Sequence, residues 1–201
     1  MKSLTLWQIE LIPWYLFAGV WAITALRVKR TKARETSVDR LITLVVVVIA
    51  FNLLFAQWPR IGPLRLRFLP ESPRVAWAGI AVTWLGVAVA VWARYCLGEY
   101  WSARVTLKEG HQLIRTGPYK FVRHPIYTGM LSMLLGSALL VGAGPWVVSF
   151  PVFLVLLQVK IRIEERLMLA EFPDEYPRYR QRVPKLVPGL RLLVRRRVAS
   201  G

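Results

Sequence analysis

Two polar stretches of the chain hold residue types able to do chemistry. The first, 109–129, includes His111, Gln112, Arg115, Tyr119, Arg123, His124 and Tyr127; the second, 160–188, includes Lys160, Arg162, Glu164, Glu165 and Arg182. Imidazole, carboxylate and phenol groups exchange protons and direct hydrogen bonds, while the cations recognise anions. Arg123-His124-Pro125 reads as a helix start, with proline where a missing N–H is harmless. The free amides of such a start favour anions. Glu164 and Glu165 are adjacent on a helix and therefore about 100° apart, so at least one turns toward the protein. Each stretch also has a plainer reading. Tyr, Arg and His are common at headgroup depth, and Glu164 with Lys160 has the i,i+4 spacing of ordinary surface pairing. The single cysteine, Cys96, permits no disulfide framework or cysteine-based metal cluster within one chain, and no metal site is expected.

The elements that must position these groups are apolar helices. The chain has 201 residues, 55% of them hydrophobic, with a mean hydropathy of +0.42. That excess calls for lipid as the solvent and predicts an all-α integral membrane protein with about five transmembrane helices plus short cytoplasmic C-terminal helices. The predicted spans are residues 11–26, 41–58, 75–93 and a pair within 125–159. The first starts after Glu10, with Pro13 in its first turn. Asn52 and Gln57 are the polar members of the second. Gly79, Thr83 and Gly86 in the third suit close approach by another helix. As one helix, 125–159 would extend roughly 52 Å, too far for one crossing. Gly142-Ala143-Gly144-Pro145 interrupts it, which predicts a tight helical hairpin. The fifth span should continue out of the membrane as a charged helix that Pro173 ends, after which Asp174 can cap a short helix. Pro184 and Pro188 close the ordered part. These readings divide the chain into an N-terminal transmembrane region (1–94), a chemistry-bearing region with the hairpin (95–190) and a basic tail (191–201).

The charge is lopsided, with 28 Lys+Arg against 11 Asp+Glu. The basic residues fall between and after the apolar runs, which fits positive loops on an anionic membrane face and not a nucleic-acid binder. The connections after spans one, three and five carry six, six and eleven Lys/Arg, and the one after span four none. This places the C-terminus in the cytoplasm, against which stand Arg60, Arg65, Arg67 and Arg74 in the loop after span two. The same topology puts both polar stretches on the cytoplasmic face, one where span four begins and one where span five leaves. A hairpin of antiparallel helices must bring those ends together.

Together the stretches resemble the isoprenylcysteine carboxyl methyltransferase family and its relatives among membrane phospholipid methyltransferases. The residues that carry the likeness are His111-Gln112-Leu113, Gly117-x-Tyr119, Arg123-His124-Pro125-x-Tyr127-x-Gly129, and Glu164-Glu165 followed by Leu169, Phe172, Glu175-Tyr176, Tyr179 and Arg182-Val183-Pro184. The likeness covers about residues 95–190. Pro173 departs from it, standing where many relatives have Gly, and either residue ends a helix. The resemblance implies S-adenosylmethionine as methyl donor and a lipophilic acceptor reached from the bilayer, with membrane lipid around it. It implies that His111, Gln112, Leu113 and Tyr119 line the cofactor from the loop, joined by His124, Pro125 and Tyr127 from the start of span four. Glu164 or Glu165 then accepts hydrogen bonds from the ribose or ammonium of the cofactor. The residues assigned to catalysis are Glu165 with Lys160 or Arg162, either cation holding an acceptor carboxylate, and Arg182 is a further anion-recognition candidate. Gly142-x-Gly144 follows no strand, so it is not a dinucleotide signature. Alternative readings are a phospholipid N-methyltransferase, an NADPH-dependent sterol-type reductase and a non-enzymatic membrane adaptor.

Overall fold

The computed structural model describes residues 2–25, 31–34, 69–98, 106–108, 113–142 and 145–189. In chain order these form α1 (Lys2–Ala25), β1 (Thr31–Arg34), α2 (Pro73–Leu97), β2 (Thr106–Lys108), a 3-10 turn (Gly117–Lys120), α3 (Pro125–Val141), α4 (Pro145–Glu171) and α5 (Glu175–Arg182). The expected span at 41–58, the arginine-bearing loop through residue 68 and the basic tail lie outside the described residues. Two described helices, Leu6–Thr24 and Pro73–Leu97, are long and apolar enough to cross a membrane, and Pro125–Leu140 is a shorter apolar helix.

The architecture is helical, with one element the all-α expectation lacked. β1 and β2 pair antiparallel, Thr31 opposite Lys108 and Arg34 opposite Thr106. Strands this short carry no periodicity for a sequence to display. They tie the segment after α1 to the segment after α2. Arg94 fastens the same end, donating from Nη2 to the Thr24 carbonyl of α1 (2.8 Å) and from Nη1 to the Gly98 carbonyl (2.6 Å). The C-terminal ends of α1 and α2 therefore lie together.

The seam between α2 and α3 is made by small residues, as the Gly79, Thr83 and Gly86 spacing predicts. A Cβ on Gly79 would stand 2.6 Å from the Gly136 carbonyl oxygen, and one on Gly86 2.6 Å from that of Gly129. The two backbones touch, and the pairing of 79 with 136 and 86 with 129 makes the helices antiparallel. That brings the start of α3 to the end of α2.

Residue 10 corrects the sequence reading. Glu10 does not end the first helix; it lies within α1 and is fully buried. Its Oε1 accepts hydrogen bonds from Thr83 of α2 (2.7 Å) and Ser137 of α3 (2.6 Å), and Trp14 Nε1 donates to the same Ser137 hydroxyl (3.0 Å). Hydroxyls from two neighbouring helices engage one carboxyl oxygen, which lets the helix run through residue 10, while Oε2 is buried with no hydrogen-bond partner among the described residues. Pro13 is accordingly inside the helix and buried, not in a first turn.

The hairpin forms where expected. Gly142 adopts the left-handed conformation (φ 61°) and its N–H caps the Ala138 carbonyl, the usual way a glycine stops a helix. α4 then runs unbroken from Pro145 to Glu171, about 40 Å at 1.5 Å per residue, so the apolar part and its charged extension are one rod. Leu134 of α3 packs with Phe153 and Leu157 of α4. α5 folds back on this extension, burying Tyr176, Tyr179 and Val183 against Met168, Leu169 and Phe172. Asp174 is the residue before α5 but makes no side-chain cap, so apolar packing and not capping holds that helix.

Candidate active site

The hairpin brings the start of α3 beside residues 164–165 of α4. Glu165 is buried, and one of its oxygens, Oε1, collects three donors: Arg123 Nη2 (2.8 Å), Arg123 Nε (3.0 Å) and His124 Nε2 (3.3 Å). Arg180 of α5 stands 3.9 Å from the other oxygen. Glu164, one residue earlier, accepts from the Tyr127 hydroxyl and lies 3.4 Å from His124 Nδ1. The imidazole thus sits between two carboxylates, one at each nitrogen. Only the imidazolium donates from both nitrogens, so this arrangement favours the charged ring. Burial opposes that charge, but hydrogen bonds to Glu164 and Glu165 outweigh it and raise the His124 pKa above its ordinary 6.5. Burial alone would raise the Glu165 carboxyl; the donors His124 and Arg123 prevail and hold it down at about 2.

A second layer fixes these groups. Residues 183–186, after α5, form a strap across the start of α3. The Arg123 and His124 amides donate to the carbonyls of Pro184 (2.9 Å) and Lys185 (3.1 Å), and the Thr128 hydroxyl donates to that of Leu186 (2.7 Å). Arg123 Nη1 reaches the Val183 carbonyl at 2.5 Å. The amides of residues 123 and 124, which precede the helix, are therefore taken by the chain's own carbonyls. The 3-10 turn completes the enclosure. Tyr119 is buried there, its carbonyl accepts from the Tyr179 hydroxyl (2.8 Å), and Gly117 lies against the Cys96 thiol. Burial, with the Glu164 charge nearby, pushes the Tyr119 phenol up; burial also raises Tyr176 and Tyr179.

Of the residues expected to act, the structure gathers His124, Tyr127, Glu164 and Glu165, with Pro125 buried as the first residue of α3. Tyr119 lies close by. Leu113 packs instead on the α5 cluster with Tyr176 and Tyr179. Arg162 and Arg182 are exposed and outside the hydrogen-bonded cluster, and Lys160 is half-buried one turn before Glu164. His111 and Gln112 lie outside the described residues. Sequence reasoning quoted Arg123 but gave it no task. Its partner is 42 positions away, beyond any local spacing rule. Glu10 was missed as a buried group, although one carboxyl close to an apolar run was the available signal.

The site lies inside a recognisable stretch. Residues 79–170 match the sequence profile of the isoprenylcysteine carboxyl methyltransferase family. The matched stretch takes in most of α2, the 3-10 turn, α3 and nearly all of α4, hence every residue of the His124 cluster except the strap and Arg180. Curated proteins are similar over much the same part of the chain. Methanethiol S-methyltransferase 2 of Bradyrhizobium diazoefficiens is 32% identical over 155 residues, 72% of this chain and 57% of that protein. Protein-S-isoprenylcysteine O-methyltransferase of Schizosaccharomyces pombe is 30% identical over 108 residues, 46% of each chain. The uncharacterised protein YpbQ of Bacillus subtilis is 36% identical over 98 residues, 48% of this chain and 58% of its own. The chain spans about half the length of the curated relatives it matches.

Proposed function

We propose that the protein is an integral membrane methyltransferase that uses S-adenosylmethionine and methylates a lipophilic acceptor. The observation that carries this reading is the His124 imidazole held between Glu164 and Glu165, within the family region. The residues fit such a donor. Glu164 remains about a quarter exposed (27%) while Tyr127 and His124 fix its orientation, so it can accept from a ribose hydroxyl or an ammonium. Glu165 is engaged by Arg123 and acts on the site through His124. Tyr119 and Tyr127 supply aromatic walls, and His111, Gln112, Leu113 and Pro125 keep their assignment to the cofactor side. Lys160, Arg162 and Arg182 keep theirs to acceptor anions.

S-adenosylmethionine supplies a methyl group already activated on a sulfonium. The protein's part is then chiefly orientation and exclusion of water. An anionic acceptor attacks without losing a proton, so no strong base is required of these residues.

Five spans and a cytoplasmic site belong to this reading. The parallel α1 and α2, with the strand pair joining the segments that follow them, support it. The test is calorimetric titration of the purified protein with S-adenosylhomocysteine. Binding is expected, weakened at least about tenfold in Glu164→Gln and His124→Ala and unchanged in Arg74→Ala, whose side chain is exposed in the first turn of α2. Absence of binding to the wild type overturns the reading.

A further inference from the structure

The junction between the 3-10 turn and α5 has an outward face that the His124 cluster does not use. The Tyr179 hydroxyl donates to the Tyr119 carbonyl (2.8 Å), and the Arg123 amide donates to the Pro184 carbonyl (2.9 Å). These bonds bring residues 119–123 alongside the second half of α5 and the start of the strap. Tyr119, Val122, Tyr179 and Val183 are buried on the inner side of this junction. Lys120, Phe121, Arg178 and Val187 are exposed. Phe121 and Val187 keep 58% and 53% of their surface open although both are apolar.

The charge of this face is one-sided. α5 carries Arg178, Arg180 and Arg182 against one acid, Glu175, and Arg115 holds that acid at 2.9 Å. Glu164 and Glu165 turn inward to Tyr127, His124 and Arg123. Arg178 and Arg182 stand at i,i+4, where like charges repel and weaken a short helix, so an anion beside them relieves the helix. The level of the face is set by α3. That helix is apolar and begins at Pro125, directly after Arg123 and His124. The face therefore lies where the chain leaves lipid. At that depth a cation meets phosphates, and an apolar side chain next to it reaches the acyl boundary. Lys120 and Phe121 offer both in adjacent residues.

We propose that this face is the seat of an acidic phospholipid. Lys120 and Arg178 take its phosphate, and Phe121 and Val187 lie against the upper part of its acyl chains. Single exposed apolar residues are ordinary on any protein surface. Two of them beside cations, at the level where an apolar helix begins, match an amphiphile with an anionic head. A lipid seated there bridges the 3-10 turn to α5 and steadies the enclosure of His124 from outside. The inference rests on the membrane placement of the chain and not on methyl transfer.

The test titrates the whole protein in neutral detergent with dioctanoyl phosphatidylglycerol, dioctanoyl phosphatidylcholine and glycerol 3-phosphate. Binding is read by native mass spectrometry and by the midpoint of thermal unfolding. Wild type should bind phosphatidylglycerol about tenfold or more tighter than phosphatidylcholine at low salt, with a raised midpoint, and the preference should shrink in about 0.5 M salt. The double variant Lys120→Gln with Arg178→Gln should lose most of the preference while its lipid-free midpoint stays at the wild-type value, which shows that it folds. Phe121→Ser should weaken the binding of both lipids. A wild type without preference, or a double variant that keeps it, overturns the proposal. A glycerol 3-phosphate response equal to that of phosphatidylglycerol overturns the lipid assignment in favour of a soluble anion. None of these readouts involves S-adenosylhomocysteine, so their failure leaves the methyltransferase reading standing.

Discussion

At the scale of single residues the site is an electrostatic balance. Arg123 and His124 face Glu165, and His124 also faces Glu164, so charges of both signs neutralise one another in a buried place. Removing one partner leaves the other uncompensated. Arg123→Ala is expected to lower stability by about 3–5 kcal/mol, measured by thermal unfolding in detergent. The double variant Arg123→Met with Glu165→Leu should lose clearly less than Arg123→Ala, because no buried charge is stranded. pH acts on the same groups. The His124 pKa is raised on folding, so its contribution to stability is complete below 6.5 and fades as pH climbs through the folded value. Glu165 is depressed, so its contribution is complete above 4.5 and fades as pH falls toward about 2. The midpoint of unfolding should therefore be highest between these limits, and His124→Gln should flatten the alkaline side and weaken the acid side too, because His124 is one of the donors that hold Glu165 down.

At the scale of elements two contacts decide how the helices meet. The α2–α3 seam is backbone against backbone, and nothing at Gly79 or Gly86 can yield to a methyl group. Gly86→Ala is expected to cost about 1–3 kcal/mol by forcing the helices apart, and to weaken S-adenosylhomocysteine binding because α3 carries His124 and Tyr127. The Glu10 junction joins α1 to the same seam. Glu10→Ala removes the acceptor shared by the Ser137 and Thr83 hydroxyls, of which Thr83 keeps the Gly79 carbonyl, and should cost about 1–2 kcal/mol, whereas Glu10→Gln retains an oxygen acceptor and should stay within about 1 kcal/mol of wild type in the same unfolding assay. These elements also show what a sequence displays. The hairpin was legible because glycine and proline interrupt an uncharged run, and the α2 seam because small residues recur at helical spacing. The place of Glu10 was not, since a lone carboxyl at the edge of an apolar run looks like a boundary until two other helices are seen to supply its donors. The strap was equally hidden: its bonds run through carbonyls, which every residue type possesses.

At the scale of the whole molecule, the ends of α1, α2 and β1–β2 meet at the face where α3 begins and α4 emerges from its apolar half. Charge counting puts that face in the cytoplasm, and the four arginines at 60, 65, 67 and 74 are what argue against it. A tag inserted at residue 65 should be reached from outside the cell, and one after residue 189 only from the cytoplasm; the reverse result breaks the topology. The grouping of His124 with Glu164 and Glu165 was foreseen from the hairpin alone, because antiparallel helices must return their ends to one place. What could not be foreseen is which carboxylate Arg123 would take, since that depends on the rotation of α4 about its own axis.

The strap contributes only acceptors to the start of α3. Proline has a carbonyl like any other residue, so Pro184 occupies its place without loss, and no substitution removes the main-chain oxygen. Exchange of side chains along 184–186 should therefore leave the docking intact. A scan of every amino acid across 184 and 186 should find the midpoint of thermal unfolding little changed, the mark of a site held by main chain.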